Sequence, residues 1–243
     1  MPFVKTADAT NGHPVVVVTG ASQGIGAALI SAYADAGYKV VANSRSIGVS
    51  TNANVLNISG DIGDPQTTAH IMSEVAKLGR LDTLINNAGI FIAKPFTDYT
   101  QADFESVLST NLAGFFYISQ GALRVMEAQG HGHIVNITAS LAEQPIKGVT
   151  AALASLTKGG VNAATKALAI EYASRGIRVN AVAPGVIKTP MHPESTHEAL
   201  AALHPVGRMG DVADVVSAVM YLQAAKFVTG VIMLVDGGQS AGR

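Results

Sequence analysis

Residues 15–26 read Val-Val-Val-Val-Thr-Gly-Ala-Ser-Gln-Gly-Ile-Gly. Four β-branched residues in a row predict a buried strand over 15–18. The helix-forming composition of 27–36 predicts a helix directly after the turn. A strand that must reverse into a helix within so few residues confines this part of the chain to a βα unit. Gly20 suits the tight turn, and Gly24 and Gly26 let backbone approach a ligand and the following helix with no Cβ in the way. The free N–H groups and positive dipole end of the helix favour an anion. The spacing is G-x-x-x-G-x-G rather than G-x-G-x-x-G. The turn reads as a cradle for a diphosphate, the plainer alternative being a glycine-rich turn that holds no ligand.

The alternation continues to the end of the chain. Strands rich in Val and Ile are predicted over 39–42, 55–58, 83–86, 133–138, 178–182 and 231–235. Helices are predicted over 65–78, 101–129, 151–174 and 211–222. Such alternation makes a parallel sheet with helices on both faces. The expected fold class is α/β: a Rossmann-like, doubly wound, seven-stranded and mainly parallel sheet, with residues 1–243 forming a single domain. Residues 1–13 read as an N-terminal extension. Residues 190–205 read as a short, mobile, helical flap over the ligand crevice.

Charged residues make up only 14% of the chain against 48% apolar ones. Typical soluble proteins carry about 25% charged residues, so extra apolar surface is expected to be buried between subunits. A formal net charge of −1 points away from nucleic acid and anionic membranes. The chain has no cysteine, which excludes disulfides, thiolate catalysis and zinc–sulfur sites. Its histidines show no metal-ligand spacing, so no metal is expected. No secretory-type stretch opens the chain and no apolar run nears membrane-spanning length, so a soluble, cytoplasmic protein is expected.

In an open α/β sheet, ligands sit beyond the carboxyl ends of the strands. The residues that follow the predicted strands are 19–26, Ser44-Arg45, Asp61, Asn86-Asn87-Ala88-Gly89, Ser140 and Pro184-Gly185. Together with Asn111, Lys158, NAVAPGVIKTP at 180–190 and VDGG at 235–238, they resemble the short-chain dehydrogenase/reductase superfamily in its single-domain form. The resemblance spans 15–238, with the motifs in order.

It implies an NAD(P)-dependent oxidoreductase acting on a small carbonyl or alcohol substrate. Gly20, Ser22, Gln23 and Ile25, with Gly24 and Gly26 of the same turn, would surround the diphosphate and adenosine ribose. Asp61 and Ile62 would border the adenine, and Asn87, Ala88 and Gly89 would run along the cofactor. Pro184, Gly185, Ile187 and Thr189 would surround the nicotinamide. Of the catalytic group Asn111, Ser140 and Lys158, Lys158 would also hold the nicotinamide ribose, Ser140 would bond a substrate oxygen, and Asn111 would hold a helix kink and a water leading from Lys158 to solvent. An acidic residue after the second strand would bind a ribose 2′-hydroxyl and repel a 2′-phosphate. Here Ser44 stands in that place, followed by Arg45, a fixed cation with several donors, and Ser22 offers a further hydroxyl. NADP(H) is therefore preferred, with NAD(H) the alternative.

One element of the family pattern is missing. The family's active site adds a Tyr four residues before the Lys, one helical turn away on the same face, whose phenol exchanges a proton with the substrate oxygen. Four residues before Lys158 stands Ala154, and the residue before that is Leu153. Tyr172 lies 18 residues past Ala154, too far to substitute, and Tyr117 belongs to the preceding helix. Glu143 and Lys147 follow Ser140 and read most simply as solvated loop charges. Two functions follow. One is an NADP(H)-dependent oxidoreductase with an atypical proton source, such as a water ordered by Ser140, Asn111 and Lys158. The other is a non-catalytic NADP(H)-binding protein, a sensor or the inactive subunit of an oligomer. The resemblance also implies a homotetramer with two-fold axes, assembled through the helices of 101–129 and 151–174 and the C-terminal strand.

Overall fold

The computed structural model describes residues 12–242, so residues 1–11 of the expected N-terminal extension lie outside the described residues. The strands are β1 (Val15–Thr19), β2 (Lys39–Ser44), β3 (Val55–Ser59), β4 (Thr83–Asn86), β5 (Gly132–Ile137), β6 (Ile177–Pro184) and β7 (Ile232–Val235). They form one sheet in the order β3-β2-β1-β4-β5-β6-β7. Every pairing is parallel, where the alternation of strands and helices predicted a mainly parallel sheet. The helices are α1 (Gly24–Asp35), α2 (Pro65–Leu78), α3 (Gln101–Leu108), α4 (Gly114–Gln129), α5 (Ala152–Tyr172), α6 (His197–Ala201) and α7 (Val212–Ala224).

Successive side chains of a strand face opposite ways, and β1 shows what this does here. Val16 and Val18 join Leu29 and Tyr33 of α1 and Val215, Val219 and Leu222 of α7 in one core. Val15 and Val17 join Ile71 and Val75 of α2 and Ile118 and Met126 of α4 in the other. A strand buried on both faces needs an unbroken apolar run, which is what four valines provide. The strand order reverses between the neighbours β1 and β4, so the crevice opens beyond their carboxyl ends.

The helix predicted over 101–129 is interrupted. α3 ends at Leu108, a π-turn spans Ser109–Ala113, and α4 resumes at Gly114. The extra residue of a π-turn is the kind of irregularity that re-aims a side chain at a functional site, and the side chain here is that of Asn111. The predicted flap contains the short helix α6 after a 3₁₀ turn at Glu194–Thr196. The other predicted elements are present, with ends shifted by a few residues.

Candidate active site

The glycine turn closes onto the loop after β4. Gly20 has φ +64°, and a Cβ there would lie 2.7 Å from the Ala88 Cα. A Cβ on Gly26 would run into the Gly20 carbonyl oxygen. Asn87 secures the contact: its Nδ2 donates to the carbonyls of Thr19 and Gly20, both at 3.0 Å. The Thr19 hydroxyl accepts from the backbone N–H groups of Asn87 and Ala88, each at 3.1 Å. At the start of α1, the side chain of Gln23 makes no capping hydrogen bond and no acid occupies the first turn. The first N–H groups of that helix are thus left for an anion.

A cleft of about 320 Å3 runs from this turn across the carboxyl ends of the strands. Gly20, Gln23, Gly24 and Ile25 line one end, and Asn87, Ala88 and Gly89 line the floor. Pro184, Gly185, Ile187 and Thr189 form a wall, and Ser140, Ala154 and Lys158 lie beyond the end of β5. Gly26 packs behind the turn. Ser22, Ser44, Arg45, Asp61 and Ile62 lie outside this lining. Ser22 and Ser44, 22 residues apart in sequence, meet with their hydroxyls at 3.0 Å, and Arg45 is exposed beside them. Asp61 is exposed and turns its carboxylate to the Gly63 N–H at 2.9 Å. Ile62 is buried against Gly114.

Lys158 is partly buried, and its Nζ donates to the Ile137 carbonyl at 2.8 Å. No carboxylate stands within ion-pair distance among the described residues. Desolvation lowers its pKa to about 8, as burial does for a cation without a counter-charge. Asn111 is buried and committed in full. Its Nδ2 donates to the Ile90 carbonyl at 3.1 Å and to the Thr157 hydroxyl at 3.2 Å, and its Oδ1 accepts from the Ile90 N–H at 2.9 Å. It therefore ties the π-turn to the cofactor-side loop and, through Thr157, to α5. A second, small cavity lies between Thr19, Asn86, Asn111 and Lys158. Its volume of about 10 Å3 is at the lower limit for one water. The Asn86 Oδ1 nearby is buried without a partner, so the pocket offers an acceptor for such a water.

Ala154 lies one turn before Lys158 and is buried in the cleft wall. None of the six tyrosines lines the cleft. Tyr172 stacks with Arg175, and Tyr117 packs edge-on against Phe116. Glu143 is held by the Asn162 Nδ2 at 2.6 Å and Lys147 is exposed, and neither lines the cleft. That end of the cleft is instead apolar, built from Phe91, Leu141, Ile146, Val149, Met191 and Leu203. Met191, His192 and Leu203 belong to the flap expected over the crevice at 190–205; the individual residues were not named from the sequence because loop side chains carry no periodic signal. A buried histidine, also missed, anchors the flap: the His204 Nε2 accepts from the Val186 N–H and its Nδ1 donates to the Leu200 carbonyl, both at 3.0 Å.

The chain matches the family described as Enoyl-(Acyl carrier protein) reductase over residues 20–240. It is 37% identical to cis-4-hydroxycyclohexanecarboxylate dehydrogenase of Sinomonas cyclohexanicum, covering 93% of this chain and 96% of that protein. It is 34% identical to gluconate 5-dehydrogenase of Gluconobacter oxydans, covering 91% and 93%. Among solved structures, ElxO with NADP bound superposes with a TM-score of 0.88 at 29% identity, covering 95% of this chain and 100% of that one. A short-chain type dehydrogenase/reductase from Mycobacterium marinum gives 0.89 at 29% identity, covering 96% and 97%. With its all-parallel sheet, its crevice at the β1–β4 reversal and these relatives, the chain belongs to the short-chain dehydrogenase/reductase superfamily.

Proposed function

We propose that the protein is an NADP(H)-dependent oxidoreductase that interconverts a neutral carbonyl compound and its alcohol, using a proton source other than a tyrosine. The observation that carries this reading is the continuous cleft that joins the glycine turn, the 87–89 floor and the 184–189 wall to Ser140 and Lys158. The residues fit a dinucleotide. Gly20 and Gly26 let the turn close tightly on Ala88 and on itself with no Cβ in the way, and the uncapped start of α1 supplies donors for the diphosphate. Ser22, Ser44 and Arg45 together suit a 2′-phosphate, since two hydroxyls meet at 3.0 Å, the next residue is an exposed arginine, and β2 ends in Ser44 rather than in a carboxylate. Lys158 would hold the nicotinamide ribose, and Ser140 would bond the substrate oxygen. A bound nicotinamide supplies or accepts the hydride. The protein's part is to align the two reactants, exclude water with the apolar wall, and move one proton.

A second reading is favoured by Ala154: the cleft binds NADP(H) and performs no chemistry, as a sensor or as an inactive subunit. Calorimetric titration with NADPH, followed by NADPH consumption against cyclohexanone, acetophenone and ethyl acetoacetate, separates the two. Binding with turnover supports the oxidoreductase, and binding without turnover supports the second reading.

The exposed apolar residues support assembly into a homotetramer. Leu156 and Ile170 lie on one face of α5 at 60% and 82% exposure, with Phe116 of α4 at 55%. Such side chains are ordinarily covered in an oligomer. Sedimentation at micromolar concentration tests it, and a monomer there would refute it.

A further inference from the structure

We propose that His192, on the flap, is the group that exchanges a proton with the substrate oxygen. This rests on the oxidoreductase reading above and names the proton source that reading leaves open.

The cleft lining contains two titratable side chains, Lys158 and His192, and no carboxylate. The Lys158 ammonium already donates to the Ile137 carbonyl, and the ribose hydroxyls are its expected partners. His192 stands apart from the other histidines. The chain has seven, and six of their rings are engaged: His13, His131, His133, His197 and His204 in hydrogen bonds, and His70 with Glu74. Among the described residues, neither ring nitrogen of His192 has a partner. The one ring left uncommitted is thus the one that lines the cleft. A buried or half-buried polar group without a partner calls for a ligand or water, and an imidazole is suited to proton exchange near neutral pH.

The fold presents this ring deliberately. The His192 backbone N–H donates to the Thr189 carbonyl at 3.0 Å, and the His192 carbonyl accepts from the His197 Nε2 at 3.0 Å. The residue is therefore pinned through its main chain at both sides while its side chain remains free. The charged group that acts on it is His197 from the following turn, and Lys158 of α5 lines the same cleft. Burial first, and then His197, lowers the His192 pKa below its usual value. At neutral pH the ring is a base, ready to take the hydroxyl proton of an alcohol. In the reducing direction, a bound reduced nicotinamide would supply the hydride to the carbonyl carbon. The C=O π pair moves onto oxygen, and the imidazolium gives that oxygen its proton. The products are the alcohol, the oxidised dinucleotide and a neutral imidazole, which regains a proton from solvent.

The test compares wild type with His192→Gln, using cyclohexanone, acetophenone and ethyl acetoacetate with NADPH. NADPH affinity within about twofold of wild type establishes that the variant is folded. The proposal expects reduction kcat/KM to fall as pH rises through a single ionisation below 6.5, the ordinary histidine value. In His192→Gln that ionisation disappears and kcat drops about 10²–10⁴-fold. An unchanged profile, or an ionisation near 8 that persists in the variant, overturns the proposal and assigns the proton to Lys158. A second readout needs no turnover. In the NADP⁺-loaded protein, the His192 ring resonance, identified by its loss in His192→Gln, should shift when cyclohexanol is added. Should no ketone turn over although NADPH binds, the oxidoreductase reading fails. A shifting ring would even then place His192 beside the bound alcohol, and a ring that does not shift overturns the proposal as well.

Discussion

Asn111 and Ile90 are paired as two strand residues would be, the side-chain amide of one meeting both backbone groups of the other at 3.1 and 2.9 Å. The bonds fasten the loop after β4 to the π-turn. Asn111→Ala leaves the Ile90 N–H and carbonyl unpaired in a half-buried place. Loss of such bonds costs about 1–3 kcal/mol, so urea unfolding should show a stability loss of about 2 kcal/mol. NADPH affinity should fall with it, since the same loop floors the cleft.

The meeting of Ser22 and Ser44 at 3.0 Å beside Arg45 predicts the cofactor. Arg45→Ala should weaken NADPH by about tenfold, the worth of one charge-assisted contact, and leave NADH nearly unchanged. Ser44→Asp should reverse the preference, because a carboxylate binds a ribose 2′-hydroxyl and repels a phosphate. Paired calorimetric titrations with NADPH and NADH read both effects.

Far from the cleft, His133 is buried at the amino end of β5. Its Nδ1 donates to the Gln223 Oε1 at 2.9 Å, and its Nε2 accepts from the Asn180 Nδ2 at 3.1 Å. The second contact requires a neutral ring, since a protonated Nε2 has no lone pair to accept with. Desolvation above all, and then Arg178, lowers its pKa from 6.5 to about 3. Between those values the unfolded chain binds a proton that the native protein does not, so stability falls as pH drops below 6.5 and is unaffected by this group above it. The slope approaches 1.4 kcal/mol per pH unit. Urea midpoints of wild type and His133→Gln, measured from neutral pH to about pH 4, should converge on the acid side.

Ala154 occupies buried cleft wall one turn before Lys158. Ala154→Tyr puts a phenol there and should raise ketone reduction. In the double variant Ala154→Tyr/His192→Gln, turnover should exceed that of His192→Gln alone by at least about tenfold, since a positioned acid is worth 10²–10⁴. Equal rates in the two would speak against a missing proton donor.

The βα turn at 15–26 was legible because glycine, β-branched runs and helix formers each act locally. Gly20, Asn87, Lys158 and Pro184–Thr189 fell into one cleft because strand ends converge in this topology. The break at Ser109–Ala113 leaves no mark in the periodicity of 101–129, and only the family resemblance implied a kink at Asn111; in the structure Asn111 reaches Ile90, which lies 21 residues away. His192 was hidden for a related reason. Seven histidines look alike in sequence, and only the packed structure reveals which rings are already bonded.

Hydride transfer itself is tested most directly by NADPH carrying deuterium at the reducing carbon, incubated with wild-type protein and cyclohexanone, acetophenone or ethyl acetoacetate. Deuterium on the carbinol carbon of an alcohol product is the expected result. NADPH bound at full occupancy, with no labelled alcohol from any of the three ketones, would contradict it.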